Sequence, residues 1–138
     1  MSLFSNRVDY SHLNARQKEN FNFQKVSAVL ADHGFMTLRV SSDWQSADFI
    51  AQHIDGVKFL KVQLKGRFTI DEKYLGKDLH ICFPDRGTWY LCPHDDLMDA
   101  ARIVPGLGGP DYWQSHTCYH RKTVPESLAE FLQPFALN

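Results

Sequence analysis

Three residues of different chemistry, Asp48, Gln63 and Lys65, stand at spacings that let them meet. The segment Val57 to Phe68, VKFLKVQLKGRF, alternates apolar and polar side chains, which is the period of a β-strand. Leu60, Val62 and Leu64 share one face of it, and Lys61, Gln63, Lys65 and Arg67 share the other. Just upstream, Asp48 stands near the start of another strand-like run, Ala47 to Ile54. Asp55-Gly56 between the two runs is a hairpin signal. Folding that hairpin carries Asp48 towards the far end of the longer strand. A carboxylate, an amide oxygen and an ammonium then gather at one spot. Such a set suits phosphodiester hydrolysis. A carboxylate and a second oxygen hold Mg²⁺ or Mn²⁺, and the ion neutralises the scissile phosphate and lowers the pKa of an attacking water. A lysine beside it orients or deprotonates that water and stabilises the developing charge.

The elements that must position these residues are legible in outline. Leu13 to His33 has Phe23, Val26, Val29 and Leu30 at helical spacing, Asn14 as a cap and Gly34 as a stop. Phe35 to Val40 reads as a strand, and Ser41 to Ser46 as a polar loop. Leu79 to Phe83 and Thr88 to Cys92 form a second hairpin around Pro84-Asp85-Arg86-Gly87. Asp95 to Val104 reads as a short helix, followed by a Gly/Pro loop, PGLGGPD. After an extended polar piece, YWQSHTCYHRK, Pro125 to Leu132 reads as a last helix. The expected order is α-β-β-β-β-β-α: one α/β domain over residues 1–138, with a core at about 14–104 and a C-terminal extension at 105–138.

Composition narrows the class. A chain of 138 residues, 43% hydrophobic and 22% charged, has the make-up of a globular domain. No apolar run is long enough to span a bilayer, and the first residues lack a signal-peptide pattern. Three cysteines do not make a secreted disulfide framework, so a reducing, cytoplasmic setting is expected. The net charge of −1 argues against a protein that coats nucleic acid generally. Charge is uneven, however. From Lys58 to Lys77 six basic residues face two acidic ones. That stretch is either a solvated edge or a surface for phosphates.

Asp48, fourteen intervening residues and then Gln63-Leu64-Lys65 resemble the D…(D/E)-x-K signature of the PD-(D/E)XK nuclease superfamily, in a Q-x-K variant. The surrounding text supports the likeness: a helix ending in HGF, a strand, Asp48 on a hairpin, FLKVQLKGR, KYLGKDLHICF and GTWYLCPHDDL. It is similar to the group I intron homing-endonuclease branch and, more distantly, to archaeal Holliday-junction resolvases, over roughly residues 14 to 100. The resemblance implies a restriction-endonuclease-like fold, a mixed central β-sheet flanked by helices, and a Mg²⁺- or Mn²⁺-dependent DNA endonuclease. Asp48 would be the metal-binding aspartate, Gln63 would stand where the second acidic ligand is found, and Lys65 would be the catalytic lysine. The family often adds an acidic residue from the first helix. Here Gln24 matches by its distance to Gly34, and Glu19 is the acidic candidate. Lys61, Arg67, Lys73 and Lys77 would hold backbone phosphates. Two departures stand out: Ala47 rather than proline precedes Asp48, and two ligand positions are amides. A catalytically inactive nucleic-acid-binding or structural member of the same fold is the alternative.

The bland readings of these residues stay open. Asp48 could cap a turn, and Lys61 and Lys65 could snorkel on an exposed sheet face. His116, Cys118 and His120 would share one face if extended, and with Cys92 and His94 could form a zinc site. Tyr112-Trp113 could stack on bases, pack in the core or join a homodimer.

Overall fold

The computed structural model describes residues 2–41, 44–104, 107 and 109–138. Helix α1, Ala15–Asp32, begins on a capping box. Asn14 Oδ1 accepts from Gln17 N, and Gln17 Oε1 accepts from Asn14 N, each at 2.9 Å. It ends before Gly34, whose φ of +84° suits a residue without a side chain. A Cβ on Gly34 would also come within 2.8 Å of His53 Nε2. Val26 and Leu30, four apart, are fully buried on the face that α1 turns to the sheet.

Strands β1, Phe35–Arg39, β2, Phe49–His53, and β3, Phe59–Leu64, form an antiparallel meander. The β2–β3 turn is held by Asp55, whose Oδ1 accepts from Val57 N and Lys58 N. Strand β5, Leu79–Asp85, runs parallel to β3, and β6, Thr88–Pro93, returns antiparallel. Arg86 and Gly87, both at positive φ, make the tight turn between them. The central sheet has six strands in the order β1-β2-β3-β5-β6-β8, where β8 is Ala136–Leu137. Beside it, β4, Phe68–Asp71, and β7, Cys118–Arg121, form a two-stranded ribbon.

One apolar cluster joins α1 to the sheet through Val26, Leu30, Phe49, Ala51, Val62 and Cys82. A second lies on the other side, where Phe68, Ile81 and Phe83 meet α2, His94–Ile103. Helix α3, Gly109–Ser115, adds Tyr112 and Trp113 to its edge, and α4, Ala129–Leu132, places Leu132 within it. No helix among the described residues is long and apolar enough to cross a membrane.

Several expected elements differ. The long strand Val57 to Phe68 is broken after Leu64. Lys65 N makes a last bond to Cys82 O at 2.8 Å, and the chain leaves the sheet so that Phe68 and Ile70 can bury in the second cluster. Arg67 therefore does not share the β3 face of Lys61 and Gln63. The second hairpin is tighter than expected, since β5 continues through Pro84 and Asp85. The polar piece is not one extended run. It divides into the end of α3 and the strand β7. The last helix is a 3₁₀ turn, Glu126–Leu128, followed by the single turn α4. Ser42, Asp43, Pro105, Gly106 and Gly108, from the two expected loops, lie outside the described residues.

Candidate active site

The register of β2 on β3 pairs Phe49 with Val62, so Asp48 and Gln63 face each other one step further on. Asp48 N donates to Val62 O at 2.8 Å and closes the ladder. Gln63 Nε2 donates to Asp48 Oδ2 at 2.9 Å, and Leu64 N donates to the same oxygen at 2.8 Å. The carboxylate is thus held in place by the strand that carries Gln63.

Lys65 follows two residues on, just past the end of β3. Its ammonium lies 5.4 Å from the centroid of the Tyr74 ring and makes no hydrogen bond or ion pair among the described residues. It opens into a cleft of about 700 Å³ whose far wall is the β4–β7 ribbon, with Arg67, Thr69, Asp71, Cys118, His120 and Lys122. A smaller space of about 270 Å³ adjoins it on the α1 side, lined by Ala15, Lys18, Glu19, Asn22, Leu64 and Gly66.

Helix α1 thus presents Glu19 and Asn22 towards Lys65. Glu19 also lies 3.6 Å from Arg39 Nη2. Gln24 is exposed and absent from this lining. It stands two residues past Asn22, about 200° around the helix, and the structure does not bring it to the site. Asn22 was missed by the sequence reading. It is buried, and Nδ2 donates to Tyr10 Oη at 2.9 Å. The signal was there, since a polar residue four before Val26 interrupts the apolar stripe of α1.

Two solved structures share this arrangement of elements. One is a Holliday junction resolvase from Archaeoglobus fulgidus, at 13% identity and a TM-score of 0.53, with 88% of this chain and 91% of that chain covered. The other is the bacterial homing endonuclease I-Ssp6803I, at 16% identity and a TM-score of 0.51, with 88% and 94% covered. The fold is that of the restriction-endonuclease-like nucleases. No family model matches the chain, and no curated protein matches its sequence.

Within this nuclease fold the other expected cations divide. Arg67 lines the open cleft, where its guanidinium donates to His120 Nδ1. A guanidinium only donates, so His120 Nδ1 is the acceptor in this contact. Lys73 lies 3.8 Å from Asp71 Oδ2 and over the Tyr74 ring. Lys61 and Lys77 are engaged elsewhere: Lys61 Nζ donates to Lys77 O at 2.6 Å and to Gln45 Oε1 at 3.2 Å, and Lys77 Nζ to Ser46 Oγ at 3.1 Å.

The donor set offered by Asp48 and Gln63 is hard oxygen, which suits Mg²⁺ or Mn²⁺ and not a soft ion. Asp48 and Gln63 already lie within hydrogen-bond reach, so an ion could take one oxygen from each once the Gln63 amide turns Oε1 inwards. No cluster of three His, Cys, Asp or Glu suited to a metal occurs among the described residues. The zinc reading fails on geometry. His116 stacks flat on Tyr112 at 4.1 Å and is absent from the cleft lining that holds Cys118 and His120. His94 is buried, with Nε2 accepting from Asp71 N and Nδ1 facing Asp95. Burial pushes the Cys82 thiol up and the Cys92 thiol up to about 12, so both are inert.

Proposed function

We propose that the chain is a divalent-metal-dependent DNA endonuclease, with Asp48 and Gln63 as metal ligands and Lys65 as the group at the attacking water. The observation that supports this best is the hydrogen bond from Gln63 Nε2 to Asp48 Oδ2 at 2.9 Å, with Lys65 two residues on and open to a cleft. A bound ion would supply charge neutralisation at the scissile phosphate and a lowered pKa for water. The rest falls to the chain. Leu64 N fixes the carboxylate, and the Asn22–Tyr10 bond holds the helix wall opposite Lys65. The Tyr74 ring holds the lysine by cation–π attraction, which leaves its N–H groups for water and phosphate. A water oxygen attacks phosphorus and gives up one proton, one phosphorus–oxygen ester bond breaks, and the leaving oxygen takes up one proton, so that the protons balance. Glu19 is a candidate further acid on the α1 side.

One observation favours a second reading, a DNA-binding protein without catalysis. Asp48 Oδ2 is satisfied by an amide and a backbone N–H, an arrangement stable without an ion. Incubation of the full chain with supercoiled plasmid and Mg²⁺ or Mn²⁺ separates the two. Cleavage that disappears in Asp48→Ala and Lys65→Ala supports the nuclease. Cleavage unchanged in both variants, or no cleavage with either ion, sinks it.

A further inference from the structure

The space around Lys65 is longer than a site for one phosphate. The lobe beside α1 and the lobe beside the β4–β7 ribbon share Tyr10, Lys18, Lys65 and Gly66, so they form one groove. We infer that this groove holds the sugar–phosphate backbone of DNA next to the scissile bond, with Lys18, Arg67, His120 and Lys122 as its contacts. The inference rests on the nuclease reading and extends it to an element, the ribbon, that the signature residues do not include.

Three observations carry it. First, Lys18, Lys65, Arg67 and Lys122 line the groove against the acids Glu19 and Asp71, on a chain whose net charge is −1. Second, these cations lack carboxylate partners. Lys122 makes no hydrogen bond or ion pair among the described residues. Lys18 only covers the Tyr10 ring, and Arg67 meets only the His120 imidazole. Lys58, Arg39 and Arg102, outside the groove, each have a carboxylate within 3.6 Å. An unpaired cation in a concave wall gives up no ion pair when it meets a phosphate. Third, the floor between the lobes is Gly66. A Cβ there would stand 3.8 Å from Asn22 Nδ2 and from Tyr10 Oη, ordinary contact, and anything longer would fill the passage.

The test is fluorescence anisotropy of fluorescein-labelled duplex and single-stranded DNA, titrated with the full chain in the Asp48→Ala background over a range of salt. Arg67→Ala and Lys122→Ala should each lower the slope of log K against log salt by about 0.9 on duplex and about 0.7 on single strand. Arg67→Lys should restore most of that slope. Gly66→Leu removes no charge and sets its Cβ in ordinary contact, 3.8 Å from Asn22 Nδ2 and Tyr10 Oη, while its longer side chain fills the passage, so it should weaken binding at every salt concentration. Lys58→Ala, far from the groove, should bind as the parent does. Unchanged slopes in the alanine variants, or Gly66→Leu binding normally, overturn the groove. The nuclease reading is judged separately, on chains that keep Asp48. If the groove pattern appears and those chains cut nothing, that reading falls and the groove stands. Normal cutting by Lys122→Ala with an unchanged slope does the reverse, and absence of any DNA binding overturns both.

Discussion

Lys61 and Lys65 stand two residues to either side of Gln63, yet the structure uses them differently. Lys61 reaches a carbonyl and a side-chain amide, and with Lys77 it ties the turn Trp44–Ser46 to the loop before β5. Lys65 reaches only an aromatic face and the open cleft. The difference lies in what the neighbouring backbone offers. On one side the loop at Gly76-Lys77-Asp78 closes over the strand and supplies acceptors. On the other the chain departs at Gly66 to build the ribbon, and no acceptor takes its place. Lysines of equal charge on one face thus become a clasp and a free ammonium.

The largest test of that contrast is the pair Lys65→Ala and Lys61→Ala. The first should lower plasmid cleavage by about 10²–10⁴-fold, the range for losing a group that moves a proton. The second should lower it by less than about tenfold, as a loop contact is lost. Equal losses would erase the distinction. Gln63→Glu places a carboxylate between the two lysines. It removes the donor to Asp48 and sets two carboxylates at the hydrogen-bonding distance of 2.9 Å. In EDTA the variant should be destabilised by about 1–3 kcal/mol in urea unfolding. Mg²⁺ should return more stability to it than to the parent. Identical responses to Mg²⁺ would mean that no ion binds there.

The wall of the open side adds a pH dependence. His94 fastens β4 to α2 by accepting from Asp71 N, and burial holds its pKa below the ordinary value. His80 is lowered by burial as well. A lowered imidazole pKa means that the unfolded chain binds more protons, so stability is fully present above about pH 6.5. It falls as pH drops through the folded pKa, by up to about 1.4 kcal/mol per unit for each histidine. His94→Phe should be less stable at pH 7.5 and show a shallower decline towards pH 5. An unchanged slope in urea midpoints would assign the dependence elsewhere.

Much of this could be read in the sequence, where local chemistry decides the outcome. Asn14 marks the start of α1, and the Asp55-Gly56 turn carries Asp48 towards the end of the strand that holds Gln63. The break in the long strand could not be read. Alternation runs on through Phe68, and only the second cluster, with Tyr119 from far along the chain, draws Phe68 out of the sheet. The same tertiary demand hid the pairing of β7 with β4, and with it the place of His120 and Lys122 on the cleft. Spacing to Gly34 points to Gln24, and acidity to Glu19, so neither criterion reaches Asn22. Burial, not residue type, singles it out. Strand β8 is two residues long and pairs with Trp89 and Tyr90, too short for any period to register.

The smallest effect concerns the clasp itself. Gln45, Ser46 and Asp78 hold φ between +50° and +66°, a region that costs a residue with a side chain about 1–2 kcal/mol. All three lie in the two loops that Lys61 and Lys77 join. If the lysine bonds impose that backbone, relieving it at Asp78 should stabilise the fold. Asp78→Gly gains the conformational relief but makes the unfolded chain more flexible, by about 0.5–1 kcal/mol. The net expectation is a gain below about 1 kcal/mol, read as a higher urea midpoint at unchanged m-value. Asp78→Val, which strongly resists positive φ, should lose stability instead. A loss in both variants would show that the Asp78 side chain, not the backbone turn, holds the loop shut.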